Sequence, residues 1–164
     1  MQISLIGFMG SGKTSISKLL ANNLNLNCIE LDELIINNSK FKSISNIFDQ
    51  KGEDYFRKLE NQELEKVILI NTNFILSTGG GIIVNKDNLL LLKKTTVIYL
   101  ETSFDVICKR LKEDRERPLF RDLKKAYQLY LNRLNTYEQI SDFQINTSDC
   151  NKSKILELIL EKIN

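Results

Sequence analysis

Five short apolar runs punctuate the chain: QISLI at 2–6, NCIEL at 27–31, FILST at 74–78, TVIYL at 96–100 and FQINT at 143–147. Runs of this length and composition predict β-strands. The segments between them change to helical periodicity. Ile16, Leu19, Leu20 and Asn23 follow the first run at helical spacing, and Leu89, Leu90 and Leu92 precede the fourth. Leu123, Ala126, Tyr127, Tyr130, Leu134 and Tyr137 form one stripe at a spacing near 3.6 residues. The tail NKSKILELILEKIN predicts a closing helix. Strands that alternate with helices predict an α/β domain, a parallel sheet covered on both faces. One stretch, KEDRERPLFRDLKK at 112–125, breaks the pattern with alternating charges and the sole proline, and predicts an exposed excursion between two helices. Without repeats or a linker-like segment, residues 1–164 are expected to form a single domain.

Composition adds mainly exclusions. The 23 basic and 21 acidic residues give a net charge of +2, too little to imply a nucleic-acid or membrane-surface partner. No apolar run approaches the roughly 20 residues of a membrane span. With a strand beginning at residue 2, no secretory leader is expected, and the expected location is the cytoplasm. The absence of histidine excludes imidazole acid–base catalysis, His-containing triads and His-ligated zinc. The three cysteines, Cys28, Cys108 and Cys150, lie far apart and are expected to be buried structural thiols. Chemistry is left to carboxylates, lysine, arginine, hydroxyls, backbone amides and a bound metal. A monomer is expected, because no surplus apolar stripe remains to be covered.

Directly after the first run comes GFMGSGKT at 7–14, with the spacing G-x-x-x-x-G-K-[ST] of a phosphate-cradling P-loop. Gly7, Gly10 and Gly12 allow backbone N–H groups to turn inward, Lys13 is placed for the β/γ-phosphates and Thr14 for Mg²⁺. A predicted strand before the loop and helix after it supply the context the motif needs. The N-K-x-D signature of guanine recognition is absent, since Asn85-Lys86-Asp87-Asn88 misplaces the acid. The third run ends in glycines, with no Walker-B acid. These features favour a small kinase that passes phosphate to a bound metabolite.

Three further groups bear on the acceptor. Glu30 and Asp32 stand two residues apart at the end of the second run, a spacing that on a strand puts both carboxylates on one side. There one can serve Mg²⁺ or its waters and the other an acceptor hydroxyl; a solvated turn is the plainer alternative. Gly79, Gly80 and Gly81 follow the third run, as a flexible turn or as a loop that lets a ligand meet bare amides. Of the arginines, Arg110, Arg115, Arg117, Arg121 and Arg133 crowd one region and Arg57 stands apart in DYFRKLE. Singly each suits a surface ion pair, whereas as a set around a P-loop they suggest an anionic substrate.

Taken together, the motifs resemble those of the shikimate kinase family, over nearly the whole chain and in the family's order. GFMGSGKT resembles its Walker A loop, IELDELI its acidic substrate strand and DYFRKLE its F-R-x-x-E helix. STGGGII is similar to its glycine-rich substrate loop, RERPLF to the R-P-L lid segment, YLNRLNTYEQIS to its R-x-x-x-Y helix and INTSD to its adenine-side loop. The resemblance implies a three-layer α/β/α P-loop kinase fold with a five-stranded parallel sheet, a substrate-binding subdomain near 32–60 and a lid near 112–124. It implies transfer of phosphate from ATP, with Mg²⁺, to the 3-hydroxyl of shikimate. Asp32 would bind the hydroxyls and act as base, Arg57 and Arg133 would clamp the carboxylate, and Gly79, Gly80 and Gly81 would line the same pocket. Gly10, Ser11, Gly12, Lys13, Thr14, Ser15 and Arg110 would hold the nucleotide, with Arg110 against the adenine. Arg117 would reach the transferring phosphate, and Thr14, with Glu30 through water, would serve the metal. The family carries Asp-x-Asp where this chain has Glu30-Leu31-Asp32, and INTSDCN lacks the basic residues often found at the adenine side. A gluconate or nucleoside monophosphate kinase and a non-catalytic nucleotide-binding switch are the alternatives.

Overall fold

The computed structural model describes residues 1–111 and 122–163. Arg115, Arg117, Arg121 and the R-P-L segment, with most of the expected lid, lie outside the described residues. Each of the five apolar runs forms a strand: β1 Gln2–Ile6, β2 Asn27–Glu30, β3 Phe74–Ser77, β4 Thr96–Glu101 and β5 Phe143–Asn146. They pair in the order β2-β3-β1-β4-β5, every pairing parallel. The three central strands are buried almost end to end, whereas β2 and β5, at the edges, are partly open. That burial follows from helices covering both faces.

The helices are α1 Lys13–Leu24, α2 Leu31–Asn38, α3 Ile44–Lys51, α4 Glu53–Ile68, α5 Lys86–Leu92, α6 Phe104–Leu111, α7 Leu123–Ile140 and α8 Lys152–Ile163. Alternation along the strands feeds two separate cores. Ile3, Leu5, Ile75, Ile98 and Leu100 pack with Ile16 and Leu20 of α1 and Ile155 and Ile159 of α8. Phe74, Leu76, Val97 and Tyr99 face the other way, against Ile35 of α2, Leu64 of α4 and Tyr137 of α7. The result is the expected three-layer arrangement, with β1 at its centre.

The buried helical faces differ from those the pattern predicts. On α1 the covered positions are Ile16, Ser17, Leu20 and Ala21, while Leu19 and Asn23 turn outward. On α5, Asn88 and Leu92 go in and Leu90 stays out. On α7 the buried row is Ala126, Tyr130, Arg133, Tyr137 and Ile140, whereas Leu123 and Tyr127 are 51% and 44% exposed. Two apolar rows lie side by side on this helix, and which one is covered depends on how it docks on the sheet. Arg133 thus stands within the buried face. The last residues of the expected lid, 122–124, begin α7, where Asp122 accepts a bond from Lys125 N at 3.1 Å as its N-cap.

With β3 on one side of β1 and β4 on the other, the connections leave the centre of the sheet in opposite directions. A crevice opens there beyond the carboxyl ends of the strands, the usual place for a ligand in open α/β sheets. The loops after β1 and β3 carry GFMGSGKT and TGGG into that crevice, and the first turn of α2, directly after β2, brings Asp32.

Candidate active site

After β1 the chain makes the predicted phosphate loop. Gly10 and Gly12 have φ of 78° and 95°, values that favour glycine, and α1 opens at Lys13 without a side-chain cap. Its first N–H groups are therefore left for a ligand, with the positive end of the helix dipole behind them. Lys13 is buried, and its Nζ donates to the carbonyls of Gly7 and Phe8, each at 2.9 Å, with Ser11 Oγ 3.4 Å away. These contacts hold the ammonium over the loop where phosphates would sit. Thr14 Oγ1 donates to Glu30 Oε2 at 2.8 Å, and Lys18 Nζ pairs with Glu30 Oε1 at 2.8 Å.

The two acids do not share a strand face. Glu30 is the last residue of β2, and Asp32 is already in the first turn of α2. The helix starts at Leu31, which buries its side chain, and Asp32 and Glu33 suit the positive end of its dipole. The change of backbone between them divides their surroundings. Glu30 turns to Thr14, at the start of α1, and Asp32 turns to Gly79. A β-carbon added at Gly79 would lie 3.0 Å from Asp32 Oδ1 and 3.2 Å from Glu60 Oε1.

The glycine loop lines the cleft with Gly79 and Gly80 and does more than leave amides bare. Its missing side chains make room for functional groups of other elements. A β-carbon at Gly81 would fall 2.6 Å from Cζ of Arg57, so the guanidinium occupies that space, and one at Gly80 would meet Met9 N of the P-loop at 3.0 Å. The Gly80 carbonyl accepts from Arg133 Nη1 at 3.1 Å and from the Tyr137 hydroxyl. Burial holds the Tyr137 phenol well above its ordinary range, so it remains a donor.

Arg57 spans two acids: Nη1 donates to Glu60 Oε2 at 2.8 Å, and Nη2 to Glu53 Oε1 at 2.9 Å. Its guanidinium lies 5.1 Å from the centre of the Phe56 ring, and that of Arg133 5.7 Å from the Phe8 ring. Glu60 is 0% exposed, and burial pushes its carboxyl up to about 7, with Arg57 opposing and the nearby Asp32 charge adding to the rise.

At the opposite end of the crevice Arg110 donates to Gly10 O at 3.2 Å and Thr147 O at 2.9 Å, tying the P-loop to the loop after β5. Beneath it the Thr102 and Thr147 hydroxyls meet at 2.6 Å. Asn85 caps α5, and Asn88 is buried there, bonded to Ile82 O and Asn61, so the N-K-D-N run is a helix start. The three cysteines form no disulfide among the described residues and are half-buried, against the expectation of full burial.

A cleft of about 300 Å³ brings together Gly10, Gly12, Lys13, Thr14, Ser15, Asp32, Gly79, Gly80 and Arg110. Arg57, Gly81 and Arg133 stand behind the glycines, and Glu30 behind Thr14. Sequence reasoning assigned no part to Glu60, Tyr137 or Phe8. The Arg57-x-x-Glu60 spacing on a helix was the available signal for the first, since residues three apart share a face. Tyr137, one turn beyond Arg133, belongs to the apolar stripe that the sequence marks as core.

The model of the shikimate kinase family matches residues 9–164. A shikimate kinase of Sulfurihydrogenibium sp. is 40% identical over 163 residues, 98% of this chain and 96% of the relative. Among solved structures, a shikimate kinase from Acinetobacter baumannii in complex with shikimate superposes with a TM-score of 0.90 at 30% identity, covering 99% of this chain and 92% of that one. The shikimate kinase of Aquifex aeolicus gives a TM-score of 0.85, also at 30% identity, over 99% and 96% of the two chains.

Proposed function

The chain belongs to the shikimate kinase family, and from that premise we infer that it transfers the γ-phosphoryl group of ATP to the 3-hydroxyl of shikimate. The observation that carries the acceptor assignment is the pair Arg57 and Arg133, brought from α4 and α7 to the two flanks of one glycine loop. Two guanidiniums converging beside a P-loop suit a carboxylate-bearing acceptor, because the planar fork pairs with a carboxylate. Asp32, beside Gly79, then meets the hydroxyl edge of the ring and takes the proton of the attacking hydroxyl.

On the nucleotide side Gly10, Ser11, Gly12, Thr14 and Ser15 surround the phosphates. Lys13 exchanges its carbonyl partners for phosphate oxygens, and Arg110 lies against the adenine. Phosphoryl transfer asks chiefly for alignment and charge stabilisation, which Lys13 supplies at the phosphates and the arginine pair at the acceptor. Thr14 and Glu30 place two hard oxygen donors 2.8 Å apart at the mouth of the P-loop, and these fit a hydrated Mg²⁺. Bound there, Mg²⁺ would neutralise charge on the β- and γ-phosphates.

We assign residues 32–60 to the substrate subdomain of a single domain, and 112–124, with Arg117 toward the transferring phosphate, to the lid. The enzyme acts as a monomer in the cytoplasm. The test is release of ADP from ATP by the purified protein with shikimate, gluconate or nucleoside monophosphates as acceptor. Turnover that depends on shikimate is expected. Dependence on another acceptor, or none at all, overturns the reading in favour of a different small-molecule kinase or a nucleotide-binding switch.

A further inference from the structure

Glu60 is the one carboxylate of the site wholly withdrawn from water, and its two oxygens differ. Oε2 accepts from Arg57 at 2.8 Å, whereas Oε1 is buried with no hydrogen-bond partner. That unpaired oxygen lies against the same side of Gly79 as Asp32 Oδ1, 3.2 Å and 3.0 Å respectively from the point a β-carbon would occupy. A buried acceptor without a partner costs about 1–3 kcal/mol, more when it is charged, and protonation of the carboxyl removes the charge.

The charges around it can be counted element by element. Its own helix contributes Arg57 and the more exposed Glu53, α2 contributes Asp32, and α7 contributes Arg133 and the neutral Tyr137 phenol. The 79–81 loop brings only backbone. Among the described residues, two carboxylates, Asp32 and Glu60, stand with two guanidiniums, Arg57 and Arg133, before substrate binds. A substrate carboxylate docked on the two guanidiniums adds a third carboxylate to the same two cations, next to the wholly buried Glu60.

We propose that Glu60 takes up a proton from solvent when the substrate carboxylate docks between Arg57 and Arg133, and returns it when the product leaves. The proton forms an O–H bond at Oε1, the oxygen without a partner, and restores the charge balance without releasing either arginine. Glu60 suits this part because burial already holds its carboxyl at about 7, so one more nearby negative charge carries it through neutral pH. Shikimate affinity then weakens as pH rises above about 7, since binding that takes up a proton is opposed by its scarcity.

The inference rests on the assignment of a carboxylate acceptor to the arginine pair, and one titration separates the two. Shikimate is titrated calorimetrically into the full chain at about pH 7.5, in HEPES and in Tris, whose ionisation enthalpies differ. For an upward shift of about one unit, the dependence of observed heat on buffer enthalpy should report uptake of about half a proton per shikimate. In Glu60→Gln, which keeps an acceptor for Arg57 but does not titrate, binding should persist with no buffer dependence. Shikimate binding without proton uptake in the unmodified chain overturns the inference and leaves the substrate assignment standing. Uptake that persists in a binding-competent Glu60→Gln overturns it too, by placing the proton elsewhere. Absence of shikimate binding by the unmodified chain overturns the substrate assignment and this inference with it.

Discussion

Gly81→Ala isolates the packing of Arg57 against the glycine loop. Gly81 has φ −102° and ψ 5°, a backbone that alanine adopts without strain, so the effect comes from the methyl group alone. That methyl would lie 2.6 Å from Cζ and Nη1 of Arg57, against the 3.4 Å or more of an ordinary contact. The guanidinium must withdraw by about 1 Å, which stretches its 2.8 Å bond to Glu60 beyond hydrogen-bonding range. A charge-assisted hydrogen bond contributes about 1.5–3 kcal/mol, so misplacing this arginine should raise the KM for shikimate about 10- to 150-fold. The KM for ATP should change less than about twofold, since the atoms nearest a β-carbon at Gly81 are those of Arg57, whereas at Gly80 the nearest is Met9 N of the P-loop. Steady-state ADP release with each substrate varied in turn measures both. A second comparison sharpens the result: in Arg57→Ala the space is empty, so adding Gly81→Ala should cost almost nothing more. A near-normal shikimate KM in the single variant, or full additivity in the double, would refute the proposed packing.

Asp32→Asn keeps the shape and the hydrogen-bonding capacity of the side chain but removes its basicity. Turnover should fall by about 10²- to 10⁴-fold with a small change in shikimate KM; unchanged turnover would end its assignment as base. Arg110→Ala cuts the tie between Gly10 and Thr147 and should raise the KM for ATP several-fold while sparing that for shikimate, read from the same assay. Glu60 also affects stability with a definite sign. Its folded carboxyl, at about 7, lies above its ordinary 4.5, so between these values the folded state holds the extra proton and stability falls as pH rises. The loss by neutral pH is about 3 kcal/mol. Glu60→Gln should flatten the dependence of Tm on pH across that window, and an undiminished slope would count against the assigned ionisation.

The sheet and the phosphate loop were legible in the sequence because both are written locally. Five apolar runs became five strands with small changes at their ends, and GFMGSGKT carries its own turns, donors and helix start. Arg57, Arg133 and the three glycines were also recognisable as residue types fit for an anionic substrate. How they meet was not, because each contact joins segments distant in the chain. Tertiary packing chose the row of α7 that is buried and so put Arg133 inside, beside Gly80. It sent Glu30 to Thr14 and Asp32 to Gly79, where the spacing alone suggested a shared face. It also turned Glu60 from one more acid on a charged helix into a carboxylate cut off from water. A residue's type sets which interactions it is able to make, whereas its desolvation and its distance to a partner on another element exist only once the helices have docked on the sheet.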